Sequence, residues 1–349
     1  MTYPRFAALS TGPVTHLDHL GVLCYILNIP LFVIEDNAYT AAQTFYPQVK
    51  TILMNASDLD AEFLTHHFDA LFESGKFLAS SLDSTLQLLY QKKMRFVYCP
   101  HGHSDKGHSA KQFVQQDVSL VYGKHMIDLL TQTGAIKFIK SMVRTGNYRL
   151  LFYLEHKPFY DQLVHSHVLQ QKPLPHSKTI LYAPSWEDGE NPTSFFTSTV
   201  QLIQDLQDHF NLLIKLHPFL MEFHPAQTLS IVEIYKESPH VLFLDHFPCI
   251  YPLLEKSDLY IGDYSSIGYD FLAFNKPLYF FLNKENPTFA IHSCGLTIPP
   301  GGDIRKFIEN TIEQNQREKE RLRKTVYHYA FGEEKSFSLI RQEIFQSLL

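Results

Sequence analysis

The sequence predicts an α/β protein made of two doubly wound, parallel-sheet domains that face each other across a cleft. Three observations lead there. Short apolar runs alternate with helix-length stretches along most of the chain. The alternation breaks between Leu150 and Lys178 and then resumes. Motifs rich in Gly, Ser, Asp and His stand directly after several of the apolar runs. Buried parallel strands read as continuous apolar runs separated by crossover helices. Ligands of such sheets bind beyond the carboxyl ends of the strands, where these motifs fall.

In the first half, residues 6–9, 31–34, 51–54, 70–72 and 96–99 are expected strands. Residues 17–27 carry apolar side chains on a helical period and join the first two. Histidines, prolines and glutamines then interrupt the pattern, including Lys172-Pro173-Leu174-Pro175. The expected division is an N-terminal domain over 1–155, a linker over 156–177, a C-terminal domain over 178–325 and a closing C-terminal helix over 326–349. The second series of strands is 179–182, 212–215, 241–244, 258–261 and 278–281, with a helix over 200–210. At the end, Phe337, Ile340, Ile344, Phe345 and Leu348 mark an amphipathic helix. Its polar face is not notably basic, so it is expected to pack on the protein rather than on lipid.

Composition narrows the function classes. A chain of 349 residues favours two domains with cores that need no covalent staples. With 45% hydrophobic and 19% charged residues it is globular. A net charge of −6 gives no electrostatic case for nucleic acid. The 19 histidines can move that charge toward zero at mildly acidic pH. Cys24, Cys99, Cys249 and Cys294 are scattered, which argues against a zinc or redox motif and for reduced, buried thiols. Residues 1–10 lack a basic-then-apolar leader, and no apolar run approaches the ~20 residues that span a bilayer. The expectation is a soluble cytoplasmic protein that can still rest on the inner face of the cell membrane.

The most informative motif is Gly262-Asp263-Tyr264-Ser265-Ser266, between an expected strand and a helix that Asn275-Lys276-Pro277 ends. Such a turn leaves unpaired N–H groups that favour an anion, and Ser265 or Ser266 can cap the helix or donate to phosphate. Cys99-Pro100-His101-Gly102-His103-Ser104-Asp105-Lys106-Gly107-His108 places His101 just after a strand, where a neutral imidazole can act as general base. Lys106 can pair with phosphate. A metal held by His101, His103 and His108 lacks a nearby acidic cluster to complete it, so no metal site is expected. In Lys215-Leu216-His217-Pro218 the proline fixes the turn and holds His217 rigidly, poised to neutralise charge on a phosphoryl group. Tyr182-Ala183-Pro184-Ser185-Trp186 offers Ser185 to phosphate, with Trp186 expected to pack. His16-Leu17-Asp18-His19 follows another post-strand turn. His16 and Asp18 are candidates for the acceptor side, and Asp18 serves equally well as a first-turn helix residue.

Together these residues resemble the CDP-glycerol glycerophosphotransferase family, the polymerases and primases of wall teichoic acid. That family carries H-G-[ST]-x-x-K, Y-A-P-[ST]-W, K-x-H-P and D-Y-S-S…D…N-K-P elements in this order. Here they stand as His101-Gly102-His103-Ser104-Asp105-Lys106, Tyr182 to Trp186, Lys215 to Pro218, and Asp263-Tyr264-Ser265-Ser266 with Asp270 and Asn275-Lys276-Pro277. The resemblance covers His101 to Pro277. It implies a GT-B fold of two Rossmann-like domains, with the nucleotide held by the C-terminal half. It implies His101 as base on the acceptor hydroxyl and His217 as helper at the phosphates. It also implies a pyrophosphate held at Ser265 and Ser266, with no metal-binding D-x-D and no cofactor.

The donor would be a CDP-activated polyol and the acceptor a hydroxyl, lipid-linked or free. Three positions depart from the pattern: His103 for a small hydroxyl residue, Asp105 for an apolar one and Glu187 for Arg. They bring His103 to the acceptor-side candidates. Two alternatives stay open: a nucleotide-sugar glycosyltransferase or 2-epimerase on the same fold, and a non-catalytic nucleotide-binding protein of envelope assembly.

Overall fold

The computed structural model describes residues 5–75, 83–103, 105–107, 110–189, 191–245, 247–283 and 289–349. Ser104 and His108 of the first histidine motif lie outside them. The chain forms two compact units, one of Met1–Phe152 with Tyr329–Leu349 and one of Tyr153–His328.

The first unit holds β1 (Phe6–Ser10), β2 (Leu31–Val33), β3 (Thr51–Leu53), β4 (Ala70–Glu73), β5 (Arg95–Tyr98), β6 (Val118–Val121) and β7 (Met142–Arg144). They form one parallel sheet in the order β3-β2-β1-β4-β5-β6-β7. The second unit holds β8 (Thr179–Ala183), β9 (Asn211–Lys215), β10 (Val241–Leu244), β11 (Leu259–Gly262), β12 (Leu278–Phe280) and β13 (Leu296–Thr297). These are also parallel, in the order β10-β9-β8-β11-β12-β13. The strand order reverses between β1 and β4 in one sheet and between β8 and β11 in the other. Those are the switch points at which doubly wound sheets bind ligands.

Apolar side chains on the strands explain both cores. Ala7, Leu9, Phe32, Leu71 and Phe96 form one cluster. Ile180, Leu212, Ile214, Leu259 and Ile261 anchor the other, under Leu202, Ile203 and Leu206 of the helix Phe195–Leu206. Burial of this kind contributes roughly 25 cal/mol per Å² of apolar surface.

Four differences from the sequence expectation have physical causes. Strands β6, β7 and β13 were not expected. Ser119 interrupts the apolar run of β6, and its buried hydroxyl is satisfied by the Phe113 carbonyl at 2.7 Å. The other two are only three and two residues long. The helix expected over 200–210 is Phe195–Leu206, because Thr193 Oγ1 accepts from Phe195 N and starts it earlier. The stretch read as a linker is largely helical, in Lys157–Val164 and the turn His165–Leu169. Pro158 sits in the first turn of that helix, where its missing N–H costs nothing.

The fourth difference is the closing helix expected over 326–349, which is the end of a long helix, Ile304–Phe331, followed by a separate helix, Phe337–Ser347. Ser336 caps the latter through Leu339 N. Its Ile340 and Ile344 are fully buried, and Phe345 stacks on Phe6 with ring centroids 5.4 Å apart.

Candidate functional site

In the first unit the carboxyl ends of β1, β4 and β5 gather imidazoles. His101 lies three residues past the end of β5 and is exposed. Its ring stacks on that of His16, centroids 4.2 Å apart and planes 21° apart. Surrounding protein lowers the His101 pKa to about 4. The exposed edge of the residue softens that effect, but its direction leaves a neutral imidazole at pH 7, which is the form a general base needs.

The backbone before His101 is held by Tyr122, whose hydroxyl donates to the Pro100 carbonyl at 2.9 Å. That hydroxyl therefore accepts from His19 Nδ1–H, 2.7 Å away. Burial, and then the positive charge of Arg149, push the His19 pKa well down. A neutral His19 with its proton on Nδ1 satisfies the geometry.

Two acceptor-side candidates are drawn into the framework. Asp18 is buried, accepts from Arg149 Nη1 at 2.7 Å and from Tyr46 Oη at 3.0 Å, and so ties the helix Leu17–Leu27 to the helix Tyr148–Glu155. His103 is fully buried. Its Nε2 meets His125 Nδ1 at 2.6 Å, and His125 Nε2 meets Asp105 Oδ1 at 2.8 Å. Two positions that depart from the family pattern, His103 and Asp105, are thus joined through one residue, His125. Lys106 is half-buried on the same loop.

In the second unit the site is organised by Asp263, which is 1% exposed, just past the end of β11. Its Oδ1 accepts from Ser185 N at 2.7 Å and Tyr264 N at 2.6 Å. Its Oδ2 accepts from Ser194 N at 2.8 Å and Ser194 Oγ at 2.7 Å. The carboxylate therefore fixes the backbone after β8 and after β11, the two strands of the switch point. Charge-assisted bonds of this kind are the stronger class. His292 closes the arrangement: its Nδ1 accepts from Phe289 N at 3.0 Å, so its Nε2–H donates to the Asp263 carbonyl at 2.9 Å.

Ser185 is buried beside this hub, and its Oγ has no hydrogen-bond partner among the described residues. Ser265 rather than Ser266 touches the start of the helix Ile267–Phe271: Ile267 N donates to Ser265 Oγ at 3.4 Å, while Ser266 is itself in helical conformation and makes no capping bond. Both serines stay partly exposed.

His217 follows β9 and is half-buried. Its Nδ1 accepts from Phe219 N at 3.2 Å, which leaves the proton on Nε2 as a donor. Trp186 packs near it, with ring centroids 6.0 Å apart. Lys215, the last residue of β9, is buried.

Asp270 is buried and accepts from Tyr251 Oη at 2.8 Å. The Asn-Lys-Pro element is likewise framework. Asn275 adopts the left-handed conformation that ends the helical turn, and its Oδ1 accepts from the buried Arg323 at 2.8 Å. Lys276 donates to the carbonyls of Glu255 and Ser257.

His125, Tyr122, Arg149, Ser194 and His292 escape the sequence reading. Of these only Ser194 carried a legible signal: Pro192-Thr193-Ser194 before an apolar-periodic run marks a helix start. Among the described residues, no group of three or more His, Cys, Asp or Glu is arranged to hold a metal ion.

The family model for CDP-glycerol:poly(glycerophosphate) glycerophosphotransferase matches residues 109–286, just over half of the chain. The chain belongs to this family. The matched segment contains Ser185, His217 and the Asp263 hub, while His16 and His101 precede it.

The teichoic acid glycerol-phosphate primase of Bacillus spizizenii is 30% identical over 172 residues, 49% of this chain and 41% of that protein. The match thus spans well under half of that relative's length. Among solved structures, the wall teichoic acid polymerase TagF superposes with a TM-score of 0.66 at 13% identity, covering 99% of this chain and 89% of that one. A UDP-GlcNAc 2-epimerase from Neisseria meningitidis superposes with a TM-score of 0.60 at 12% identity, covering 98% of each chain. At such identities the likeness concerns the fold, and the fold is the GT-B arrangement of two parallel sheets with helices.

Proposed function

We propose that this family member transfers glycerol phosphate, or a related polyol phosphate, from a CDP-activated donor to a hydroxyl acceptor during synthesis of an envelope polymer. The observation that carries the reading is the Asp263 hub: it ties the Tyr182–Trp186 element to the Asp263–Ser266 element at the switch point of the second sheet. In this reading Ser265, Ser266, Ser185, Lys215 and His217 hold the donor's diphosphate, with Lys106 as a further phosphate partner. Asp263 and Asp270 shape the site from behind. His16 lines the acceptor side.

The chemistry is a single displacement. The acceptor oxygen gives its proton to His101 and forms a bond to the phosphorus that bears the polyol. The bond from that phosphorus to the bridging oxygen breaks, and CMP leaves with the electron pair. His217 donates from Nε2, and serine hydroxyls and Lys215 add positive potential, where charge builds on the departing oxygen. Phosphoryl transfer of this kind depends on positioning and electrostatics more than on covalent intermediates.

The acceptor hydroxyl, in this reading, is carried on a lipid and met at the inner membrane face. Among the described residues no helix is long and apolar enough to cross a membrane.

A donor panel tests the assignment. The protein is incubated with CDP-glycerol, CDP-ribitol and UDP-sugars, with lipid-linked and soluble hydroxyl acceptors, and the released nucleotide is identified. Free CMP supports the proposal. Release of UDP or CDP points to glycosyl transfer instead. Binding of CDP-glycerol with no turnover across the acceptors would favour a non-catalytic role.

A further inference from the structure

We propose that His16 is a positioning residue for His101, holding the base through a ring stack built into the switch point of the first sheet. The inference rests on the reading of His101 as base. The two residues are 85 positions apart in sequence, yet their rings overlap at 4.2 Å with planes 21° apart. His16 ends the turn Val14–His16 and is 9% exposed, whereas the residue His101 is exposed. One ring is fixed and the other is free to rotate unless something holds it.

The slot for His16 is made by glycines. A Cβ on Gly12 would lie 2.4 Å from His16 Nδ1, and one on Gly75 would lie 2.9 Å from His16 Cε1. Gly75 also has φ near +129°, a conformation that favours glycine. Gly12 comes just after β1 and Gly75 just after β4, the neighbouring strands at which the sheet order reverses. The switch point is therefore shaped around an imidazole, and that imidazole's open face is covered by His101. A flat ring at that place restricts the His101 side chain to the rotamers that stack. It has no need to touch the acceptor or to exchange a proton.

The test compares His16→Ala, His16→Phe and His101→Ala in the full chain. It measures CMP release from CDP-glycerol, the affinity for CDP-glycerol, and the ring-proton NMR shifts of His101. His16→Ala is expected to lower kcat by roughly tenfold to a hundredfold, the scale on which misplacing a catalytic group acts. Donor affinity should stay within about twofold. His16→Phe, which keeps a flat ring, is expected to recover most of that loss. The His101 ring resonances should move in the Ala variant and return toward their original place in the Phe variant.

Wild-type kcat in His16→Ala, or a Phe variant no better than Ala, overturns the inference. So does an unchanged His101 ring shift in His16→Ala. If His101→Ala keeps full turnover, the base assignment is what fails, and the ring shifts alone then judge the stack. Should the Ala variant fold poorly, the Phe variant and its ring shifts carry the comparison.

Discussion

Replacing Asp263 with Asn removes one charge and almost no volume, so the outcome reports on the carboxylate's charge and hydrogen bonds and not on packing. The native carboxylate accepts four bonds: from Ser185 N, Tyr264 N, Ser194 N and Ser194 Oγ. It is 1% exposed, so water cannot replace them. An amide has one oxygen. If that oxygen keeps the Ser185 and Tyr264 donors, the NH2 group faces Ser194. The Ser194 hydroxyl can rotate to accept, but the Ser194 N–H cannot. One buried N–H is then orphaned at about 1–3 kcal/mol, and the remaining bonds drop from the charged class, ~1.5–3 kcal/mol each, to the neutral class near 1. The total is about 2.5–9 kcal/mol. For a unit of roughly 150–250 residues, at ~2–4 °C per kcal/mol, the melting transition of the second unit should fall by roughly 5–36 °C. Thermal melts followed by circular dichroism, with CDP-glycerol affinity measured beside them, provide the assay. A loss below about 1 kcal/mol would refute the hub, because satisfied donors would then exist without the carboxylate.

His217 both caps a turn and, in the proposal, assists the leaving group. His217→Asn should keep the cap and lose transfer, while His217→Ala should lose transfer and about 0.5–2 kcal/mol of stability; urea titration against CMP release separates the two roles. Arg323→Met should cost about 2–4 kcal/mol, because it removes charge-assisted bonds to Asn275 Oδ1 and to the Asn315 and Gln316 carbonyls; a denaturation midpoint that does not move would contradict it. The pH profile follows from the sign of the His101 shift. A base works in its neutral form, and surrounding protein lowers its pKa toward about 4, so kcat/KM should stay level down to about pH 5.5 and fall only below it. An acid limb at the ordinary value of about 6.5 or higher would count against that environment.

The strands were legible because both faces of a parallel sheet are buried, which turns them into short unbroken apolar runs. The switch-point motifs were legible because turn residues punctuate those runs. What the residues do there was less visible. Asp263 looks the same in sequence whether it holds a ligand or staples backbone, and the partner that decides this, Ser194, is 69 positions away. His103 reads as a loop residue until His125, on a later helix, is known to meet it.

Arg323 sits in a charged run that suggests a solvated face. Only with the helix built do Ile308, Asn315, Arg323, Val326 and Ala330 fall on one buried side. The Asn-Lys-Pro element shows the reverse case. It is a strong family signal, yet its Asn side chain is spent on Arg323 and its Lys side chain on carbonyls within the second unit.

The most direct measurement of the central claim is single-turnover release of CMP from CDP-glycerol by the native chain and by His101→Ala, with donor affinity determined for both. The account expects acceptor-dependent CMP from the native chain, none above background from the variant, and equal binding of the donor by the two. Equal CMP release from both would contradict it.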